Sequence, residues 1–532
     1  MAQVTSSGWA NKVAQGKRDL NYGVLISWLR TTASGVRFFT INQSRIGGMD
    51  IIKGGGTAVT FFDKYQFGDY SQFVSSWSVA RKMGQFPYGT IMAQADVELN
   101  NASKVFLPNF DPTIGSGILP NRPMKISLGL EGESLQQFVG FTGMPENTLG
   151  NRLTRLHAYD AFNFINGYVS AASGAFVNKY AHEIKASLLG EMGFGSGQYV
   201  LDKSLQQPIG YISTNGRKVG DVWQDLDEAE QALSFVDETG IITSWNRQHF
   251  TTLSGTQAFA FNYSKLSDLQ WQNTPIINDV IVLANPRSVK NGQPLWTTQT
   301  AIELIAGTTT DVFVSFTDED GELPVTSVVT PAHLAASTST YALNFQRDGS
   351  DVSNPASYIS IVSDYTFGNR YRITFRNTYT SSIFITAMTV WGTPATVDTH
   401  ISKRYFDQTS IDNFGRNPAN NGVPLEITND FIQDPSSAYS LAYTLVKEYK
   451  DPRKRYLAPV AVGSNPALQI GDYGSITIAD TAEVKNVYIT GKVDKLKRNG
   501  FYEQIVELEE RNIRKYFTIN QSKIGGTDSI AP

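Results

Sequence analysis

The chain has no cysteine in its 532 residues, which excludes disulfides and thiolate metal sites and leaves the redox compartment unread. It is also poor in charge. Charged residues make up 18%, against the roughly 25% of an ordinary soluble domain. The 45 basic and 49 acidic residues nearly cancel, to a net of -4, and no polybasic run breaks the balance. Nothing in this pattern argues for binding to a phosphate backbone. No apolar run approaches the ~18 residues that a membrane span needs. The start, MAQVTSSGWANKVAQGKRDLNYG, lacks the apolar core of a signal peptide. These absences predict a chain made in the cytoplasm and moved from there by something other than secretion, such as lysis.

What is present is aromatic and turn-rich. There are 24 Tyr, 30 Phe and 45 Gly, with Ser, Thr and Asn plentiful, a mixture that favours β structure with many turns. At about 150 residues per domain, the length suits three or four domains. Segment 37–52, RFFTINQSRIGGMDII, recurs as KYFTINQSKIGGTDSI at 515–530, with eleven of sixteen positions identical across a displacement of 478 residues. Phe39 and Ile41 alternate with Thr40 and Asn42 as in a short strand, before Gly47-Gly48 breaks the run. Two copies do not make a solenoid. They are a relic of duplication, or one interaction element used at two equivalent places. On the second reading the candidate residues are Phe39, Ile41, Asn42 and Gln43, with Phe517, Ile519, Asn520 and Gln521.

Residues 58–160 read as strands. Ala93, Ala95, Val97 and Leu99 alternate with Gln94, Asp96 and Glu98, the period of a half-buried strand. Two helices are predicted next. One spans 174–190, on the spacing of Phe176, Tyr180, Ile184 and Leu188. The other is capped by Asp221 with Gln224 as a capping box, and carries Val222, Leu226, Ala229 and Leu233 as its apolar stripe. GQYVLDKSL and PIGYIS are short strands, with a turn at Asn215-Gly216 and a hairpin turning at Glu238-Thr239-Gly240. Residues 291–397 lose the helical period and read as a β-sandwich, with Asp320-Gly321 as a hairpin cue between VFVSFT and PVTSVVT. Asp434-Pro435 then opens a helix with Ala438, Leu441, Ala442, Leu445, Val446 and Tyr449 on its apolar face. In the closing hairpin, turning at Asn499-Gly500, Val506 and Leu508 face in while Glu507 and Glu509 face out.

Chemistry-bearing motifs are scarce. His157, His182, His249, His333 and His400 are scattered, and His182-Glu183 lacks the second histidine of a zinc helix. Neither Gly193–Gly197 nor Gly54–Gly56 leads into the Gly-Lys-Ser/Thr of a phosphate loop. Asp318, Glu319, Asp320 and Glu322 suit a solvated hairpin tip better than a calcium loop. Asp225, Asp227, Glu228 and Glu230 read as the wet face of a helix. The aromatics of 291–397 suit a core better than a sugar platform, which would need them exposed. No catalytic residue, metal or cofactor is expected.

Four stretches carry a resemblance. They are YQFGDYSQFVSSWSVAR…AQADVELNNASKVFLP, then ILPNRPMKISLGL…QQFVGFTG…RLTRLHAYDAF, then LLGEMGFGSGQYVLD…VGDVWQDLDEAEQALSFVDETGIITSWNR, and finally LQIGDYGSITIAD…VYITGKVDKLKRNGFYEQIVELEE. In this order, over about two thirds of the chain, they resemble the tail-tip hub, or minor tail, proteins of long-tailed phages. That group shares its fold with the baseplate hub of contractile phages and with the N-terminal part of tail-associated proteins.

The resemblance implies a mainly β chain with a small α+β part: two hub-type β-barrels, a helical middle segment and an inserted β-sandwich. The arms would be 1–57 and 515–532, each bearing one copy of the repeated element. The first barrel would be 58–170 and the α+β segment 171–240. The second barrel would be discontinuous, 241–290 with 398–514, around the sandwich 291–397. It further implies a structural, non-enzymatic homotrimer whose six barrels continue a hexameric tail tube in the virion. Its partners would be distal tail or tail-tube proteins, the tape-measure protein and distal fibre or spike proteins. DNA would pass through the ring without specific binding during ejection. The alternative is an adhesin whose sandwich binds a host surface polysaccharide.

Overall fold

The computed structural model describes residues 3, 5–14, 20–28, 67–83, 88–107, 110–111, 114, 117–148, 150, 152–171, 175–249, 257–318, 321–334, 339–478, 482–498 and 500–510. Of these residues 46% are strand and 16% helix, so the fold is mainly β.

Its frame is one 14-stranded sheet. The path runs Gln270–Asn273, Lys454–Val460, Tyr502–Glu510, Val484–Leu496, Val74–Lys82, Gln94–Asn100, Leu153–Tyr159, Glu133–Thr142, Pro123–Leu130, Leu20–Ile26 and Gly68–Asp69. The join between early and late sequence is the antiparallel pair Val74–Lys82 with Val484–Leu496, in register from Trp77 opposite Leu496 to Lys82 opposite Gly491. No sheet among the described residues closes into a barrel.

Two cores lie along this sheet. Early strands supply Val24, Ile126, Val97, Leu99 and Phe138, and Leu496 joins them from the late strand. Ala95, Val97 and Leu99 are buried while Gln94 and Asp96 are exposed, as the alternation predicts. Late strands supply Tyr456, Ile476, Tyr488, Val506 and Leu508, and Met83 joins them from the end of the early strand. Two buried ion pairs lie at the seam. Arg81 pairs with Glu238 at 3.4 Å and donates to the Gln137 carbonyl oxygen at 2.9 Å. Lys492 pairs with Asp494 at 3.0 Å and donates to the Leu468 carbonyl oxygen at 2.6 Å. Two ion pairs removed from water need such extra hydrogen bonds to offset desolvation. The N-terminal helix Trp9–Ala14 docks near this seam, its Trp9 indole donating to Asn465 at 2.8 Å.

A third core is helical. It gathers Phe162–Gly167, Ala181–Glu191, Val219–Glu230 and Pro435–Tyr449 around the three-stranded sheet Ile401–Phe406, Asp279–Ala284 and Leu425–Thr428. The last of these helices forms as its sequence dictates. The Asp434 carboxylate accepts from the Ser437 backbone N–H at 2.8 Å, Pro435 occupies the first turn, and the whole predicted face is buried.

Two helix predictions need correction. Residues Phe176–Lys179 form a strand paired with Ile209–Ile212, and the helix begins only at Ala181. The four-residue spacing had counted Phe176 and Tyr180, which precede it. The second helix starts at Val219, not after Asp221, because Val219 N–H is satisfied by the Tyr168 carbonyl and its side chain is buried. Asp221 sits in the first turn, where its charge favours the helix dipole.

Between residues 287 and 397, two sheets face each other across one core. The 15-residue strand Ile383–Val397 is the spine of the larger sheet, pairing with five others. The smaller sheet has Thr309–Ser315, Arg370–Asn377 and Ile359–Thr366, with Arg370–Asn377 in the centre. Leu343, Ile385 and Val390 from one sheet pack with Val314, Ile373 and Phe375 from the other. The hairpin cue at Asp320-Gly321 falls on Asp320, which lies outside the described residues. Thr317–Asp318 pairs with Gly321–Glu322, but the longer arms on either side separate into the two sheets. The hairpin at Glu238–Gly240 forms as predicted, between Leu233–Val236 and Ile242–Trp245 with Gly240 at φ +94°.

Candidate interaction surfaces

The outward face of the smaller sheet is built by strand alternation. On the central strand Tyr371, Ile373 and Phe375 point into the core, so Arg370, Arg372, Thr374 and Arg376 point away from it. Register places Phe313 and Tyr365 on either side of Arg372, and Asp311 and Ser363 on either side of Thr374. Phe313 is 71% exposed and Tyr365 53%. The Arg372 guanidinium lies over the Tyr365 ring at 5.0 Å from its centroid. Thr374 donates to the Asp311 carboxylate at 2.6 Å, and Ser363 donates to Thr374 at 3.1 Å. Asp364, turned the other way, accepts from the Tyr371 and Thr330 hydroxyls, each at 2.7 Å. The side chains of Arg370, Arg372 and Arg376 appear in no hydrogen bond or ion pair among the described residues. The sequence reading treated the aromatics of this module as core. Tyr341 and Tyr371 are core, but Phe313 and Tyr365 are not. Strict alternation in TTDVFVS was the available signal for Phe313.

A second exposed feature is the free edge of the large sheet. All four residues of Gln270–Asn273 are exposed, and among the described residues this strand is paired on one side, with Lys454–Val460. Trp271 stands 57% exposed with the Lys454 ammonium 4.3 Å from its ring centroid. An unpaired edge is where another strand can add.

The buried carboxylates are structural in their geometry. The helix carrying Asp225, Asp227, Glu228 and Glu230 has no uniformly wet face, contrary to its sequence reading. Asp227 and Glu230 are buried. Asp227 accepts from Lys185, from Ser234 at 2.8 Å and from Thr90 at 3.2 Å. Burial raises its pKa, opposed by Lys185 and these hydrogen bonds. Glu230 accepts from the Leu205 backbone N–H at 3.0 Å. Glu509 lies on the face opposite Leu508, as alternation expects, but it is buried there, with the Arg455 guanidinium of the neighbouring strand within 2.8 Å of it. Asp160, in the Leu-x-Ala-x-Asp strand end, accepts from the backbone N–H groups of Ala93 at 2.6 Å and Phe162 at 2.9 Å. Burial pushes its pKa up to about 7.

The five histidines occupy five separate places. His157 meets Asp96, His182 meets Ser204, His249 stacks on Trp245, His333 meets the Tyr341 ring and His400 meets Asn285. Among the described residues no three His, Asp or Glu side chains converge as a metal site would require. Gly193, at φ +88°, ends a helix, and Phe194 N–H bonds back to the Leu189 carbonyl, so that glycine run is a cap and turn. Residues Phe39, Ile41, Asn42, Gln43, Phe517, Ile519, Asn520 and Gln521 lie outside the described residues, as do Gly54–Gly56, Glu319 and Asp320.

No family model matches the chain, and no curated protein matches it. Solved structures do. A 43 kDa tail protein of prophage MuSo2 from Shewanella oneidensis is 9% identical, covering 84% of this chain and 95% of its own, with a TM-score of 0.41. A tail protein from Neisseria meningitidis has the same identity and coverages and a TM-score of 0.43. A type VI secretion system component of Escherichia coli, described as similar to phage tail proteins, is 9% identical over 84% of this chain and 78% of its own, with a TM-score of 0.35. The structural neighbours are thus tail and tail-like proteins, the class that the four sequence stretches resemble. Scores below 0.5 carry no residue-level correspondence.

Proposed function

We propose that the chain is a structural subunit of a phage tail tip. Three copies form a ring that continues the tail tube and links it to distal tip proteins during host attachment and DNA delivery. The observation that carries this reading is the pair of β cores strung along one sheet within a single chain. A subunit with two such cores can occupy two positions around a ring, so three subunits present six. On this reading the two halves of the sheet play the part of the two hub barrels, 58–170 and 241–290 with 398–514. The repeated Phe-Thr-Ile-Asn-Gln-Ser elements of the arms then seat in equivalent grooves beside the two halves. Distal tail or tail-tube proteins, the tape-measure protein and a fibre or spike are its neighbours in the virion. Its role is assembly and not catalysis.

Native mass measurement of the purified chain tests the ring. The expected particle contains three chains of 58.6 kDa each. A monomer at every concentration, in the presence of its tail-tube neighbour as well as alone, contradicts it.

A second reading, an adhesin that also binds host polysaccharide, is favoured by one observation. The module at 287–397 carries exposed rings, Phe313 and Tyr365, on a solvent-facing sheet.

A further inference from the structure

We infer that the outward face of the strands Thr309–Ser315, Arg370–Asn377 and Ile359–Thr366 binds an acidic polysaccharide, with Arg372, Arg376, Tyr365 and Phe313 as its recognising side chains. The inference rests on the adhesin reading and gives it a site and a ligand class.

The charge on this face is unbalanced. Its central strand offers three guanidinium groups, and none is engaged with an acid or an acceptor among the described residues. The one carboxylate that shares the face, Asp311, accepts from Thr374. An arginine ordinarily spends its five N–H donors on carboxylate or phosphate oxygens in a fixed fork geometry. Arg372 instead is held by the Tyr365 ring, and its Nε is buried without a hydrogen-bond partner. Its position is therefore set before any ligand arrives, which lowers the entropic cost of pairing with an anion. Arg376 is exposed four residues along the same strand, about 13 Å away at ~3.3 Å per residue. Arg370 lies at the end of the face that abuts Gly216. The Arg372–Arg376 stretch is thus the open, net basic part.

The rest of the surface chooses among anions. Phe313 and Tyr365 stand on opposite sides of Arg372, and the exposed Val362 sits at the bulge farther along the Tyr365 strand, so the two rings are separated by the guanidinium. Between and beyond them are the hydroxyls of Thr309, Ser315, Ser360, Ser363 and Thr374. A protein partner would ask for a contiguous apolar centre. A sugar chain asks for separated ring faces to stack on, hydroxyls to exchange hydrogen bonds with, and, if acidic, a guanidinium at intervals. Exposed side chains on all three strands give a polymer a surface to lie across.

Binding of the full-length protein to immobilised polygalacturonate, dextran and polyglutamate separates the possibilities. The expected result is binding to polygalacturonate that weakens with salt, with at least tenfold weaker binding to dextran and polyglutamate. Arg372→Ala, Arg376→Ala and Tyr365→Ala should each weaken it several-fold, and Trp271→Ala, on the distant sheet edge, should not. An unchanged thermal melt shows that each exposed variant is folded. Equal binding to dextran, equal binding to polyglutamate, or full retention by the Arg372→Ala/Arg376→Ala double variant overturns this site and ligand class. Absence of binding to all three polymers overturns the adhesin reading with it. None of these outcomes bears on the ring, which the native mass reads independently.

Discussion

Asp160 ties a local hydrogen-bond pattern to a pH dependence of the whole chain. Its carboxyl caps the step between a strand end and the helix at Phe162, and burial holds its pKa at about 7. The unfolded chain would titrate it near ~3.9. Between those two values the folded state keeps a proton that the unfolded state has released. This contribution to stability is present below pH about 4 and is lost as pH rises toward 7. Asp160→Asn should flatten that part of the curve of unfolding free energy against pH. An unaltered slope between pH 4 and 7 would contradict the assignment. Asp407 acts in the opposite sense, because hydrogen bonds from Lys450 and the Ser410 backbone lower its pKa. Its contribution is lost only as pH falls below the ordinary carboxylate range. Lys185 and Asp227 form a buried pair, whereas sequence reading placed Asp227 on a wet face. Lys185→Met leaves Asp227 buried without its cation and should cost about 3–5 kcal/mol in chemical denaturation. The Lys185→Met/Asp227→Leu double variant should recover much of that loss. A double variant no more stable than the single one would show that the pair is not what couples these positions.

At the scale of elements, the cap at Asp434 is the clearest case of sequence dictating structure. The residue type, the following proline and the apolar spacing all point to one helix start, and the hydrogen bond to Ser437 N–H forms there. Asp434→Ala should lower stability by about 1 kcal/mol, and a denaturation midpoint equal to the parent would contradict the capping role. Elements went unread where a partner distant in sequence decides the outcome. Phe176–Lys179 is a strand because Ile209–Ile212 lies beside it, which a helical spacing cannot reveal. Glu509 keeps the face that alternation gives it but is buried there, because Arg455 arrives from the next strand. Alternation alone put it on the solvent side with Glu507. The arms flanking Asp320-Gly321 read as partners in one hairpin, but they join different sheets, since strand partners are chosen by packing and not by the turn. Of the candidate site, sequence reading gave only a β module; the alternation of arginines with core residues in 370–376 and their lack of acidic partners among the described residues required the fold.

For the molecule as a whole, composition and periodicity gave a β-rich chain with a helical middle and a β module between 291 and 397. They did not give the pairing of Val74–Lys82 with Val484–Leu496, a contact between segments some four hundred residues apart. Such pairing leaves no local trace, because each strand satisfies its own alternation whichever neighbour it takes. This seam is what sets two β cores on one sheet, and the proposed ring depends on that arrangement. The most direct measurement is the number of copies of this chain at the tail tip in a reconstruction of the assembled particle. The account predicts three copies, each contributing both cores to a ring of six positions at the end of the tail tube. Six copies, each filling a single position, or a chain absent from the tip altogether, would contradict it.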